Sequence, residues 1–152
     1  MTPGNISKRT VTDRLAWIYQ MADEIRALPL SDRTAFFADR RNLWAAESCL
    51  RRALEALFDL GRHILAKGFG AGVTEYKEIA VTLRTQGVLS DEDATLLRMM
   101  AGYRNRMVHF YHEIQADELY EICSSQLSDV EKLASAYRTW LQQHPEYLDE
   151  SL

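Results

Sequence analysis

The segment Tyr103-Arg104-Asn105-Arg106-Met107-Val108-His109-Phe110-Tyr111-His112 gathers two guanidiniums, an amide, two imidazoles and two phenols within ten residues. An imidazole titrates near neutrality, so it can take a proton from a hydroxyl or return one to a leaving oxygen. A guanidinium can hold a phosphate and stabilise the charge that develops on it. Together these groups meet the requirements for cleaving a phosphodiester beside a 2′-hydroxyl without a metal. Arg104 and His109 supply both, and Asn105 can orient either one. Arg106 is a further cation for an RNA phosphate, and Tyr111 adds a hydroxyl. The same composition also fits a plain helix end whose cations face its last carbonyls.

The spacing adds a constraint. Five residues at about 100° each set Arg104 and His109 roughly 140° apart on a regular helix. Either the helix ends or bends before His109, or the site draws its groups from two chains, as a two-fold dimer allows. Other chemistry is poorly represented. No Gly-rich loop follows a strand pattern, and Gly68, Gly70 and Gly72 read as an interhelix loop. His63, His109, His112 and His144 join no recognisable metal spacing, and His109 with His112 alone would make an incomplete site. No metal is expected, and nothing in a single chain supplies a conventional catalytic pocket. That favours the dimer.

The elements that must position this segment are helical. Val11, Leu15, Ile18, Ala22 and Ile25 trace one helix face that stops near Leu28-Pro29. Leu43, Leu50, Leu57 and Ile64 predict a long helix from Asp39 to Lys67, closed by Gly68 and Gly70. Ser31 to Ala38 reads as a separate turn or the start of that helix. Thr74 can cap a short helix through Gln86. Ser90, followed by Asp91, Glu92 and Asp93, opens a helix with the stripe Leu96, Met100, Tyr103, Met107 and Phe110. Asp117 can cap a last helix with Leu119, Ile122, Val130, Leu133, Tyr137 and Leu141 on its buried side, ended by Pro145. The expectation is an all-α, single-domain bundle of four to five helices over residues 1–152, with frayed ends at 1–10 and 145–152.

Composition agrees with a globular domain: 47% of residues are apolar and 26% charged. No apolar run reaches the length of a spanning helix, no secretory signal is legible, and the cytoplasm is the expected compartment. Cys49 and Cys123 lie in apolar-periodic stretches and read as small hydrophobes rather than a disulfide. The net charge of −4 argues against a dedicated nucleic-acid binder, but its distribution does not. Residues 1–111 carry 16 Lys/Arg against 13 Asp/Glu, whereas residues 112–152 carry 2 against 9. The acidity is therefore concentrated in the last quarter of the chain, and the remainder can hold a local basic surface.

The pattern Arg104-Asn105-x-x-Val108-His109-x-Tyr111 resembles the Arg-x(4)-His-x-Tyr motif of HepT toxins within the HEPN superfamily. The likeness extends to the all-helical layout, to Arg40-Arg41 ahead of a long amphipathic helix, and to the position of the block about two-thirds along the chain. It covers roughly Thr12 to Gln142. The resemblance implies a single HEPN domain acting as a metal-independent endoribonuclease without cofactor. It implies a cytoplasmic homodimer whose cleft is lined by the motif from both subunits, and the toxin role in a type VII-like toxin–antitoxin system. Carried over by position, Arg104 and His109 are the catalytic pair and Asn105 is the polar residue beside the arginine. Tyr111 is the tyrosine onto which a cognate minimal nucleotidyltransferase antitoxin transfers AMP from ATP, silencing the nuclease. A second expectation belongs to another class, a non-catalytic HEPN subunit that binds nucleotide or a nucleotidyltransferase partner.

Overall fold

The computed structural model describes residues 4–109 and 114–151. Its α-helices are α1 (Lys8–Arg26), α2 (Arg33–Ala38), α3 (Arg40–Phe69), α4 (Tyr76–Thr85), α5 (Asp91–Val108), α6 (Ala116–Ser125) and α7 (Leu127–Gln143). Two short strands, β1 (Ile6–Ser7) and β2 (Leu148–Asp149), pair in parallel, with Ile6 opposite Leu148. The all-α architecture is as expected. The short α2 and a division of the last helix bring the α-helices among the described residues to seven.

The thirty-residue α3 is the axis of the molecule, and α1, α2, α4, α5, α6 and α7 all pack against it. Its sequence explains why. Ala46, Leu50, Ala53, Leu54, Leu57, Leu60, Ile64 and Leu65 are all fully buried, a stripe wide enough to meet neighbours on several sides. The Asp39 carboxylate accepts the Arg41 N–H and caps the helix start. Gly70, at φ 66°, closes its end in the left-handed conformation that a Cβ disfavours. Gly61 has a different role: a Cβ there would stand 2.7 Å from the Tyr137 hydroxyl and 3.1 Å from Ile79 and Leu83. Its missing side chain is what lets α4 and α7 approach α3 so closely.

Several local expectations are corrected. Glu75, not Thr74, precedes α4, and it makes no side-chain cap. The last helix is divided at Gln126 (φ −117°, ψ 4°), and α6 starts at Ala116 with Asp117 inside its first turn rather than capping it. The apolar stripe ran continuously across that break, so periodicity could not reveal it. On α5 the fully or nearly buried positions are Ala94, Leu97, Met100 and Ala101, while Leu96, Tyr103 and Met107 are only partly buried. Phe110 lies outside the described residues. The buried face is rotated from the expected stripe, and two of its four positions are alanines. At the two ends of the chain the described residues form short elements. Ile6 is fully buried, α1 begins at Lys8, and the 145–151 segment returns to pair with β1. A two-residue strand has no periodicity to read.

Cys49 is half-buried and Cys123 buried, and both are free thiols. Burial pushes the Cys123 thiol up to about 12, consistent with a small hydrophobe rather than a reactive group. Among the described residues no helix is long and apolar enough to cross a membrane.

Candidate functional site

α5 carries the site at its C-terminal end, and both ends of the helix are locally encoded. The Ser90 hydroxyl accepts the Asp93 N–H, and Asp91, Glu92 and Asp93 face the positive end of the helix dipole. At the other end the helix stops at Val108. His109 turns to extended backbone (φ −90°, ψ 119°) while its N–H still reaches the Asn105 carbonyl at 3.1 Å. The Tyr103 hydroxyl donates to Gln126 Oε1 at 2.9 Å, tying this end of α5 to the break between α6 and α7.

That stop resolves the angular problem posed by the five-residue spacing. Arg104, Asn105 and His109 line one cleft within a single chain, with Arg62 from α3 and Thr74 to Lys77 at the start of α4. The cleft has a volume of about 520 Å³. Of the two arrangements the spacing allowed, the helix end before His109 is the one observed. The expectation that one chain supplies no pocket is thereby corrected.

Arg104 is held in place from two directions. One terminal nitrogen donates to Glu55 Oε2 at 3.0 Å. Its guanidinium carbon lies 4.6 Å from the centre of the Tyr76 ring, a cation–π contact. Tyr76 is in turn stacked on Phe58, centroids 4.3 Å apart and planes within 9° of parallel. Burial chiefly raises the Tyr76 phenol above its ordinary range, so it stays neutral and presents an electron-rich ring. Arg104 Nε is buried without a hydrogen-bond partner in the protein. The guanidinium is thus oriented yet not saturated.

Arg62 has a different task. Its donors go to the Val73 carbonyl at 3.3 Å, the Thr74 carbonyl at 3.1 Å and Asp59 at 3.3 Å. It staples the loop after α3 and so sets where Tyr76 stands. Lys77 makes no ion pair among the described residues and brings an uncommitted ammonium to the cleft. Arg106, expected as an RNA-phosphate contact, is not brought to this cleft. It forms a two-pronged ion pair with Glu118 of α6, which raises the arginine and lowers the carboxylate from their ordinary ranges. Tyr111, the expected AMP acceptor, lies outside the described residues, as does His112. No His/Cys/Asp/Glu cluster among the described residues could hold a metal.

Sequence reasoning missed Glu55, Arg62, Tyr76 and Lys77. The first two were faintly legible: Arg51, Glu55, Asp59 and Arg62 recur at spacings of 4, 4 and 3, a charged stripe along α3. Nothing marked Tyr76 or Lys77, whose relevance depends on where the α3–α4 loop lands.

Fold and cleft together define a helical domain with an arginine, an amide and a histidine gathered at one helix end. The chain belongs to the HepT-like ribonuclease family, whose model, Ribonuclease HepT-like, matches residues 18–137. No curated protein matches the chain in sequence. The fold is shared with solved structures. A tri-AMPylated HEPN toxin of Shewanella oneidensis in complex with MNT antitoxin superposes with a TM-score of 0.77, at 21% identity, over 86% of this chain and 97% of that one. A toxin–antitoxin structure with AMP-PNP gives 0.75 at 20% identity, over 84% and 97%. YutE of Bacillus subtilis, a cytosolic protein of unknown function, gives 0.76 at 16% identity, over 95% of both chains.

Proposed function

We propose that this protein is the toxin of a toxin–antitoxin pair, a metal-independent endoribonuclease that acts as a homodimer. In this reading it is silenced by AMPylation of Tyr111 by a cognate minimal nucleotidyltransferase. The observation that carries the reading is the meeting of Arg104 and His109 in one cleft, in a chain of the HepT-like ribonuclease family. His109 takes the proton of the RNA 2′-hydroxyl as that oxygen attacks the adjacent phosphorus. The bond to the 5′-oxygen breaks, and the imidazolium returns a proton to that leaving oxygen. Arg104 holds the phosphate and stabilises its developing charge, and its pairing with Glu55 and Tyr76 fixes its orientation beforehand. Asn105 orients the phosphate or the imidazole, and Lys77 adds a cation. The reading is metal-independent because Arg104 and His109 offer a cation for the phosphate and a group that moves the proton.

A two-fold dimer would face the helix end of α5 with its copy and supply a second imidazole and guanidinium to the same RNA. Apolar surface for such an association is present: Val108, Met99 and Trp44 are exposed to solvent. The tri-AMPylated state of the Shewanella toxin supports the proposed control. AMP on Tyr111, two residues after His109 in the sequence, would add a phosphodiester anion that can compete with RNA for Arg104, and a bulky nucleoside.

The test is RNA cleavage by the purified chain, with and without a chelator, alongside His109→Ala. Cleavage that survives chelation and disappears in the variant is expected. Intact-mass measurement after co-expression with the nucleotidyltransferase should show added AMP on Tyr111, with Tyr111→Phe escaping silencing. A monomer in light scattering at micromolar concentration would remove the dimer. Partner binding without any RNA cleavage would instead make this chain a non-catalytic subunit.

A further inference from the structure

On the other side of the Glu55–Asp59 ridge from the cleft, two guanidiniums flank an indole. Arg14 and Trp17 of α1 and Arg52 of α3 line a groove of about 220 Å³, together with Ala56 and the two acids of that ridge. Trp17 is 38% exposed, between Leu15 and Ile18, which are buried. The fold therefore has no packing use for much of its surface. Among the described residues, neither Arg14 nor Arg52 forms an ion pair.

The two acids of the ridge are already engaged. Glu55 is paired with Arg51 at 3.1 Å and Arg104 at 3.0 Å, and Asp59 with Arg62 at 3.3 Å. Three guanidiniums thus meet two carboxylates along the ridge, so it is not a barrier to an anion. Arg62 and Arg104 form the wall of the cleft on the opposite side. Groove and cleft are neighbours that share one ridge.

We propose that this groove is a second RNA-binding site, which takes the single strand as it leaves the cleft. One base stacks on Trp17, and the adjoining phosphates sit on Arg14 and Arg52. The inference rests on the ribonuclease reading and extends it. An exposed aromatic face with flanking cations is how single-stranded nucleic acid is gripped without sequence preference. A docked protein segment would need an apolar lining, and on α3 the groove offers only Ala56 between two carboxylates.

The experiment uses the full chain. Binding of a labelled single-stranded RNA of about 12 nucleotides is measured by fluorescence anisotropy in a His109→Ala background, which prevents cleavage. Trp17→Ala should weaken binding by about ten-fold, and Trp17→Phe by less. Arg14→Ala combined with Arg52→Ala should reduce the slope of log binding constant against log salt by about 1.4, the share of two phosphate contacts on a single strand. With His109 intact, all these variants should cleave a trinucleotide, too short to leave the cleft, at the wild-type rate. Wild-type affinity and salt slope in the variants would overturn the groove while leaving the ribonuclease reading standing. So would loss of the dimer or of nucleotidyltransferase binding with RNA affinity unchanged, because the groove would then be a protein interface. A parent protein that neither binds nor cleaves either RNA would overturn both.

Discussion

Arg104 and Arg106 stand two residues apart on one helix turn, yet the fold gives them opposite situations. Arg104 points to the α3–α4 side, where it meets one oxygen of Glu55 and the face of Tyr76 and keeps a buried Nε unpaired. Arg106 points to α6, where both oxygens of Glu118 occupy it. A guanidinium with both prongs taken by a carboxylate must surrender that pair before it can hold a phosphate. One held at a single prong and backed by an aromatic ring has donors to spare. Residue type does not distinguish these two arginines; the number of donors left free does.

The largest effects should come from the cleft. Arg104→Ala should lower RNA cleavage by at least about 10²-fold, and His109→Ala by about 10²–10⁴-fold. Both are read from single-turnover rates on a labelled RNA. Arg104→Ala should also cost about 1 kcal/mol in denaturant unfolding, because a cation–π contact and a half-buried ion pair go with it. An Arg104→Ala protein that cleaves normally would erase the contrast between the two arginines.

A smaller loss is expected where Arg104 is steered rather than replaced. Tyr76→Leu should reduce kcat by about ten-fold with little change in KM, since it removes orientation and not the charge. Tyr76→Phe keeps the ring and should remain close to wild type. If both variants behave alike, the ring is not what positions Arg104.

Smaller still is the expected effect of Arg106→Ala. Cleavage should stay near the wild-type rate, and stability should fall by about 0.2–1 kcal/mol, the worth of a largely exposed ion pair. Glu118→Gln should produce the same small stability loss. Cleavage that collapses in Arg106→Ala would return Arg106 to the site.

The mildest test lies away from the cleft, at the paired ends of the chain. The Ser7 N–H donates to His63 Nε2 at 3.0 Å, so this nitrogen must be unprotonated. Burial first, then Lys67 and Arg14, hold His63 below its ordinary value. The unfolded chain therefore takes up this proton first as the pH falls. The stability contribution is complete above about pH 6.5 and is lost as the pH drops through the lower folded value. Melting temperature followed from neutral to mildly acidic pH should decline less steeply in His63→Gln than in wild type. The same slope in both would show that the bond does not matter to the fold.

Much of the scaffold was legible because it is written in short-range chemistry. The Ser90 cap with its three acids, the seven-residue recurrence along α3 and the glycines after it each act within a turn or two of chain. The polar block from Arg104 to His109 was legible for the same reason: its residue types sit side by side. What could not be read was anything made by distant segments meeting. The break at Gln126 left the apolar stripe intact, and the strand pair at Ile6 and Leu148 joins the two ends of the chain.

By itself, then, the sequence determined an all-α bundle and the chemical inventory of one helix end, since periodicity, capping and adjacency are local properties of the chain. Only the tertiary structure decided which of that inventory lines one cleft. The stop at Val108 swings His109 to the side of Arg104. Glu55, 49 residues earlier, and Tyr76 from the start of α4 hold that arginine, and Glu118 pairs with Arg106 away from the cleft. Those choices depend on where packing around α3 places each loop and helix end, and no spacing within one segment encodes that.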